Sequence, residues 1–167
     1  MKLDIIIVDL ALVAAVFLPY FLFVLIGRKE QNKLKSKFSE ETENYQLHFN
    51  EVDKWNNNLL GLDKEKGMIL LVQKRKTDFS TILVDLKPVR SCEIIQEVGF
   101  SRINKRVENV LQSVSLKLHL FNGTSQIVSL YNCDETYCED YELKHAEKWQ
   151  RVINGIVAMR PIINSAA

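Results

Sequence analysis

Apolar and polar positions along this chain follow three successive patterns, each of which predicts a different kind of element. Residues 10–27 run eighteen positions without a charge, and residues 5–8 extend the run past Asp9. At 1.5 Å of rise per residue, about 20 residues cross a hydrocarbon core of roughly 30 Å, so this stretch predicts a membrane-spanning helix. A signal peptide would carry its basic charges ahead of a shorter apolar run and end on a small-residue cleavage site. Here Lys2 is balanced by Asp4 and Asp9 in front, and the basic residues follow the run. Pro19 removes one backbone donor in mid-span, and Asp9 lies near the outer end, where interfacial water reaches it.

Residues 28–47 lack Gly and Pro, and place Leu34, Phe38 and Tyr45 near one helical stripe among polar neighbours. This pattern predicts a helical stalk, either partly solvated or paired with a second copy. Residues 49–60 carry Phe49, Val52, Trp55, Leu59 and Leu60 and suit a short helix or a strand equally well. From Gly67 the period becomes that of strands. Residues 68–73 and 81–86 form a hairpin around the charged turn 74–78, residues 89–98 form a third strand, and residues 99–108 read as a basic, polar connection. Val114, Leu116, Leu118 and Leu120 alternate with Ser113, Ser115, Lys117 and His119, as in a strand with one buried face. Asn122-Gly123 then suits a type I′ turn, and residues 126–131 return.

Between residues 136 and 159 the period changes to 3.6. Tyr137, Tyr141, His145, Trp149, Val152, Ile153, Ile156 and Val157 share a stripe, while Asp140, Glu142, Lys144, Glu147, Lys148 and Arg151 face away. Pro161 closes this helix, which docks through Trp149. The expected fold class is therefore α+β: an amino-terminal transmembrane helix, then a curved antiparallel sheet or partial barrel capped by a carboxyl-terminal amphipathic helix. The organisation is an anchor at 1–27, a juxtamembrane helical stalk at 28–54, a domain at 55–160 and a tail at 161–167.

Charge sets the orientation. Residues 28–37 carry Arg28, Lys29, Lys33, Lys35 and Lys37 against Glu30, a net +4, whereas residues 38–53 hold only acids and sum to −5. Basic residues flanking a span stay on the cytoplasmic side, so the amino terminus is expected outside and the domain inside, at the inner membrane of a bacterial cell. Cys92, Cys133 and Cys138 are odd in number and unpaired in spacing, which suits a reducing compartment.

Strand order, closing helix and inward Trp149 together resemble a pleckstrin-homology-like domain over residues 55–158, of the kind carried by small single-span bacterial proteins. The resemblance implies seven strands. It also implies that the turn between the first two strands, here Lys74, Arg75 and Lys76, is the position where lipid-binding members grip phosphates. A solvated hairpin tip is the competing reading of the same three bases.

Little else in the sequence carries chemistry. His48, His119 and His145 are scattered, Cys133 and Cys138 lack a second pair, and no glycine-rich phosphate loop appears among the six glycines. Cys92 alternates with Ile94 and suits a core. No catalytic, cofactor or metal residues are assigned, and no cofactor, nucleic acid or small-molecule substrate is expected. The expected partners are the bilayer, through the anchor, and a protein partner or a second copy of the chain. The expected role is a non-catalytic interaction module at the membrane. An accessory subunit of a membrane enzyme or transporter and an anionic-lipid sensor are the alternatives.

Overall fold

The computed structural model describes residues 2–76, 78–103, 106–135 and 141–159. Its elements are α1 (Lys2–Asn44), β1 (Glu51–Trp55), β2 (Asn58–Asp63), β3 (Met68–Lys74), β4 (Phe79–Asp85), β5 (Val89–Ile103), β6 (Arg106–Leu120), β7 (Ser125–Asn132) and α2 (Glu142–Ala158). The architecture is α+β. Two antiparallel sheets, in the orders β1-β2-β3-β4 and β5-β6-β7, lie between an amino-terminal and a carboxyl-terminal helix. The single curved sheet expected from sequence is thus two sheets. They part at Pro88, which cannot donate to a ladder, and the chain turns there through a bond from Val89 N–H to the Leu86 carbonyl at 2.8 Å.

One core fills the space between the sheets and α2, drawing Leu60, Leu62, Ile69 and Leu71 from the first sheet, Leu116, Leu118 and Val128 from the second, and Trp149 and Ile153 from α2. Trp149 is wholly buried, as the docking-helix reading requires. Two buried amides stitch the sheets together: Asn58 Nδ2 and Gln73 Nε2 both donate to the Leu130 carbonyl, at 3.0 and 3.2 Å. Satisfying each other and one carbonyl, at 2.9 Å between Gln73 Nε2 and Asn58 Oδ1, removes the penalty of burying them.

A second core lies on the opposite face of the first sheet. Leu59, Leu70 and Val72 point away from the main core and meet Leu34 and Leu47, with Phe38, Phe49 and Phe79 packed around them. β2 and β3 are therefore buried on both faces, which explains their unbroken apolar runs. The stripe of Leu34 and Phe38 is neither solvated nor self-paired; its partner is the chain's own sheet. Gly61 makes the approach possible, since a Cβ there would stand 2.8 Å from the rings of Phe38 and Phe49.

Helix α1 stops at Asn44, well short of the stalk boundary at 54 expected from sequence. Gln46 takes a left-handed φ of 51°. Leu47 N–H bonds the Thr42 carbonyl at 2.9 Å and Gln46 N–H that of Glu43 at 3.0 Å, the paired bonds of a Schellman stop that folds Leu47 back onto the helix. Buried Asp63 holds the following segment by accepting His48 N–H at 2.8 Å and Lys66 N–H at 2.9 Å. Burial alone would raise this carboxyl, but those backbone bonds outweigh it and keep it below its ordinary value.

Three further differences from the sequence reading have local causes. Residues 49–60, open in sequence between a short helix and a strand, form most of the β1–β2 hairpin, so that residues 51–54 are strand rather than stalk. Residues 99–103 and 106–108, expected as a connection, continue β5 and β6 as a paired ribbon that shares no pairing with β7. The β6–β7 turn has positive φ only at Gly123 (85°), and Gly123 N–H bonds the Leu120 carbonyl at 3.1 Å, so it is a three-residue loop with the glycine after the turn rather than a type I′ pair.

Candidate functional site

The basic turn singled out from sequence is a hairpin turn, but it joins β3 to β4 rather than the first two strands, because β1 and β2 precede it, and its charges are largely committed inside the molecule. Lys74 Nζ pairs with Glu30 of α1. That contact, with help from Lys33, holds the Glu30 carboxyl below its ordinary range. Arg75 Nη1 bonds Glu135 Oε1 at 3.0 Å, and its backbone closes the turn through bonds to Asp78 at 2.8 and 3.0 Å. Lys76 is exposed. The turn is thus a junction joining α1, the first sheet and the segment after β7. Of the acidic residues at 135–142, Glu135 takes part, Glu142 is buried elsewhere, and Glu139 and Asp140 lie outside the described residues.

A denser constellation forms where β1 meets α2. Strand alternation puts Glu51, Asp53 and Trp55 on the face toward the helix, and helical spacing brings His145, Lys148 and Trp149 onto one side of α2. Asp53 Oδ2 accepts from His145 Nδ1 at 2.9 Å, from Trp149 Nε1 at 3.1 Å and from Lys148 Nζ at 3.2 Å. Lys148 also reaches Glu51 at 3.2 Å. The Trp55 and His145 rings stack at 4.7 Å between centroids and 11° between planes. Trp55 Nε1 donates to Glu142, whose other carboxylate oxygen accepts from Asn56 Nδ2 at 3.3 Å. Burial would raise the Asp53 carboxyl, yet the bonds from His145 and Lys148 prevail and hold it below its ordinary value. Burial acts against the Lys148 charge as well, and its two carboxylates more than offset this and raise it.

Beside this seam opens a groove of about 390 Å³ lined by Asp53, Tyr141, Lys144, His145, Lys148 and Arg151. It shares Tyr141 and Lys144 with a broader groove of about 580 Å³, where Val98 and Leu111 face the first turns of α2. Tyr141 takes a left-handed φ of 55° at the helix start and exposes its ring, whereas Glu142 is buried. Both reverse the expected stripe, because the helix begins only at Glu142 and its carboxylate is drawn inward by the Trp55 indole. Among the described residues no hydroxyl or thiol bonds His145. The Asp53–His145 pair therefore clamps helix to strand electrostatically, and the flanking cations Lys144 and Arg151 face the open groove.

The remaining candidates stand apart. His119 sits on the second sheet, its Nε2 3.0 Å from Glu93 and its Nδ1 3.2 Å from Ser125 Oγ. Cys92 is buried, and burial followed by the charge of Glu93 pushes its thiol up to about 12. Cys133 is exposed, and Cys138 lies outside the described residues. Among the described residues no three His, Cys, Asp or Glu side chains converge as metal ligands. Sequence reasoning missed Asp53, Trp55 and Glu142. The alternation Glu51-Asp53-Trp55 ahead of a helix carrying His and Trp four apart was the available signal. Compared with known proteins, the chain matches no family model, no curated protein and no solved structure.

Proposed function

We propose that this chain is a membrane-tethered, non-catalytic interaction module of pleckstrin-homology-like architecture, which holds a protein partner or a second copy of itself at the cytoplasmic face of a bacterial inner membrane. The observation that carries the reading is the exposure of the apolar half of α1. Leu12 is 62% exposed, Phe17 61% and Phe23 81%, on a helix long and apolar enough to cross a bilayer. Water does not accommodate such a surface; lipid does. The basic cluster at 28–37 favours an inward-facing domain. Seven strands divided four and three, followed by a helix with an inward tryptophan, support the pleckstrin-homology-like comparison. The grooves flanking the first turns of α2, with exposed Tyr141 and the cations of the β1–α2 seam, are the surface offered to a partner.

The test is purification of the tagged full chain from detergent-solubilised membranes after crosslinking. A stoichiometric second protein or a homodimer is expected, and Tyr141→Ala combined with Lys144→Glu should deplete it. Recovery of the chain alone as a monomer contradicts the proposal.

A further inference from the structure

The direction of each element relative to α1 follows from its contacts. β3 starts beside the segment after α1, since Asp63 pairs with Met68 and bonds His48 N–H, and it ends where Lys74 meets Glu30. β3 therefore runs back along α1 toward its apolar half, and β1 is parallel to it. Helix α2 is antiparallel to β1, because Glu142 meets Trp55, His145 meets Asp53 and Lys148 meets Glu51. β5 is antiparallel to α2: Cys92 N–H bonds Asn154 at the far end of the helix at 2.8 Å, while Val98 faces the helix start. β5 consequently heads the same way as β3, toward the apolar half of α1.

Beyond Val98 the β5–β6 ribbon has no further strand partner among the described residues. β6 last pairs with β7 at Ser113, and Cys133 N–H bonds the Gln112 carbonyl at 2.8 Å; among the described residues, 98–103 and 106–111 pair only with each other. A lone two-stranded ribbon is marginal in water, yet this one exposes Val98 by 47% and Phe100 by 80%. Its strands also contain Arg102, Ile103, Arg106 and Val107. Val98 lines a groove with Glu142, which meets Trp55, and Trp55 pairs with Asn58, whose partner on β3 is Gln73, the neighbour of Lys74. Glu30 lies three residues past Gly27, or about 4.5 Å along a helix. The five steps from Val98 to Ile103 span about 17 Å, more than enough to reach a headgroup layer of roughly 5–8 Å.

We infer that the β5–β6 ribbon is a second membrane-contacting element, which lays Phe100 into the interface of the leaflet from which α1 emerges and whose sequence supplies two basic residues, Arg102 and Arg106, suited to an anionic surface. Aromatic residues favour that interface, and basic residues are drawn to an anionic surface. The inference rests on the reading that α1 spans a bilayer, and it adds that the domain lies against the membrane.

The test uses the full chain with its three native cysteines replaced by alanine, reconstituted in nanodiscs containing 30% phosphatidylserine. A fluorophore is attached through Phe100→Cys, through Phe23→Cys in α1, or through Phe121→Cys at the opposite end of the second sheet. Quenching by bromolipid is compared with quenching by aqueous iodide. The expected result is bromolipid quenching at positions 23 and 100, at least threefold above position 121, with that at position 100 falling to the level of position 121 when Arg102→Gln and Arg106→Gln are added. Quenching at 23 but not at 100 overturns the inference and leaves the anchor standing, whether iodide reaches position 100 or a protein contact shields it. No bromolipid quenching at 23 removes both.

Discussion

Within α1, residues 12–25 and residues 30–44 continue one helix but meet opposite surroundings. Leu18 and Leu22 are 59% and 50% exposed, whereas Leu34 is 1% exposed against Leu59, Leu70 and Val72. The first half is apolar all round and has no protein partner among the described residues; the second is polar with a single apolar stripe, and that stripe is covered. A uniformly apolar helix is solvated by lipid, whereas a stripe needs one matching face. The lesson is that the segment after the apolar half is a structural element of the domain. An anchor formed by the apolar half would therefore be stiff, and the domain would inherit its orientation from the helix.

Truncation should break this comparison most severely. Removing residues 1–27 should leave a soluble, cooperatively folding chain, because the docked half remains. Starting at residue 48 should give an aggregating one, because Leu59, Leu70 and Val72 lose their cover. Size-exclusion chromatography of the two fragments decides it, and a monodisperse 48–167 fragment would mean that docking contributes little. Next in size, Leu34→Ala in the 28–167 fragment should cost about 2–5 kcal/mol in denaturant unfolding, whereas Leu22→Ala in the full chain in detergent should leave domain unfolding unchanged. Gly61→Ala should cost about 1–3 kcal/mol, since its new methyl forces Phe38 and Phe49 apart. The smallest effect concerns Asp53. Its carboxyl is held below the unfolded value of about 3.9, so its contribution is complete above that pH and disappears as pH falls through the lower folded value. Asp53→Asn should therefore flatten the loss of stability below about pH 4, as read by urea midpoints across the acid range.

Elements whose pattern is local were legible in the sequence: the apolar half of α1, the β3–β4 hairpin around Lys74–Lys76, the alternation of β6, and the burial of Trp149. What escaped depends on distant partners. The Leu34–Phe38 stripe carries no mark of its partner, although the unbroken apolar runs of β2 and β3 signal a sheet covered on both faces. β1 stays ambiguous between helix and strand in the sequence because Glu51 and Asp53 look solvated until α2 supplies Lys148 and His145. Glu142 looked outward-facing for the same reason, its partner Trp55 lying 87 residues away. The ribbon beyond Val98 read as a connection because residues 99–108 are basic and polar and show no apolar alternation. At the candidate site, the positions of Lys74, Arg75 and Lys76 were legible, but their engagement with Glu30 and Glu135 was not.

The central claim, that α1 crosses a bilayer and carries its domain on the cytoplasmic side, is tested most directly by paired reporters fused after Ala167 in a bacterial host. The account predicts bright green fluorescence from the cytoplasmic reporter and no activity from alkaline phosphatase at the same position, with both fusions remaining in the membrane pellet after carbonate washing. Phosphatase activity, or release of the fusion by carbonate, would contradict it.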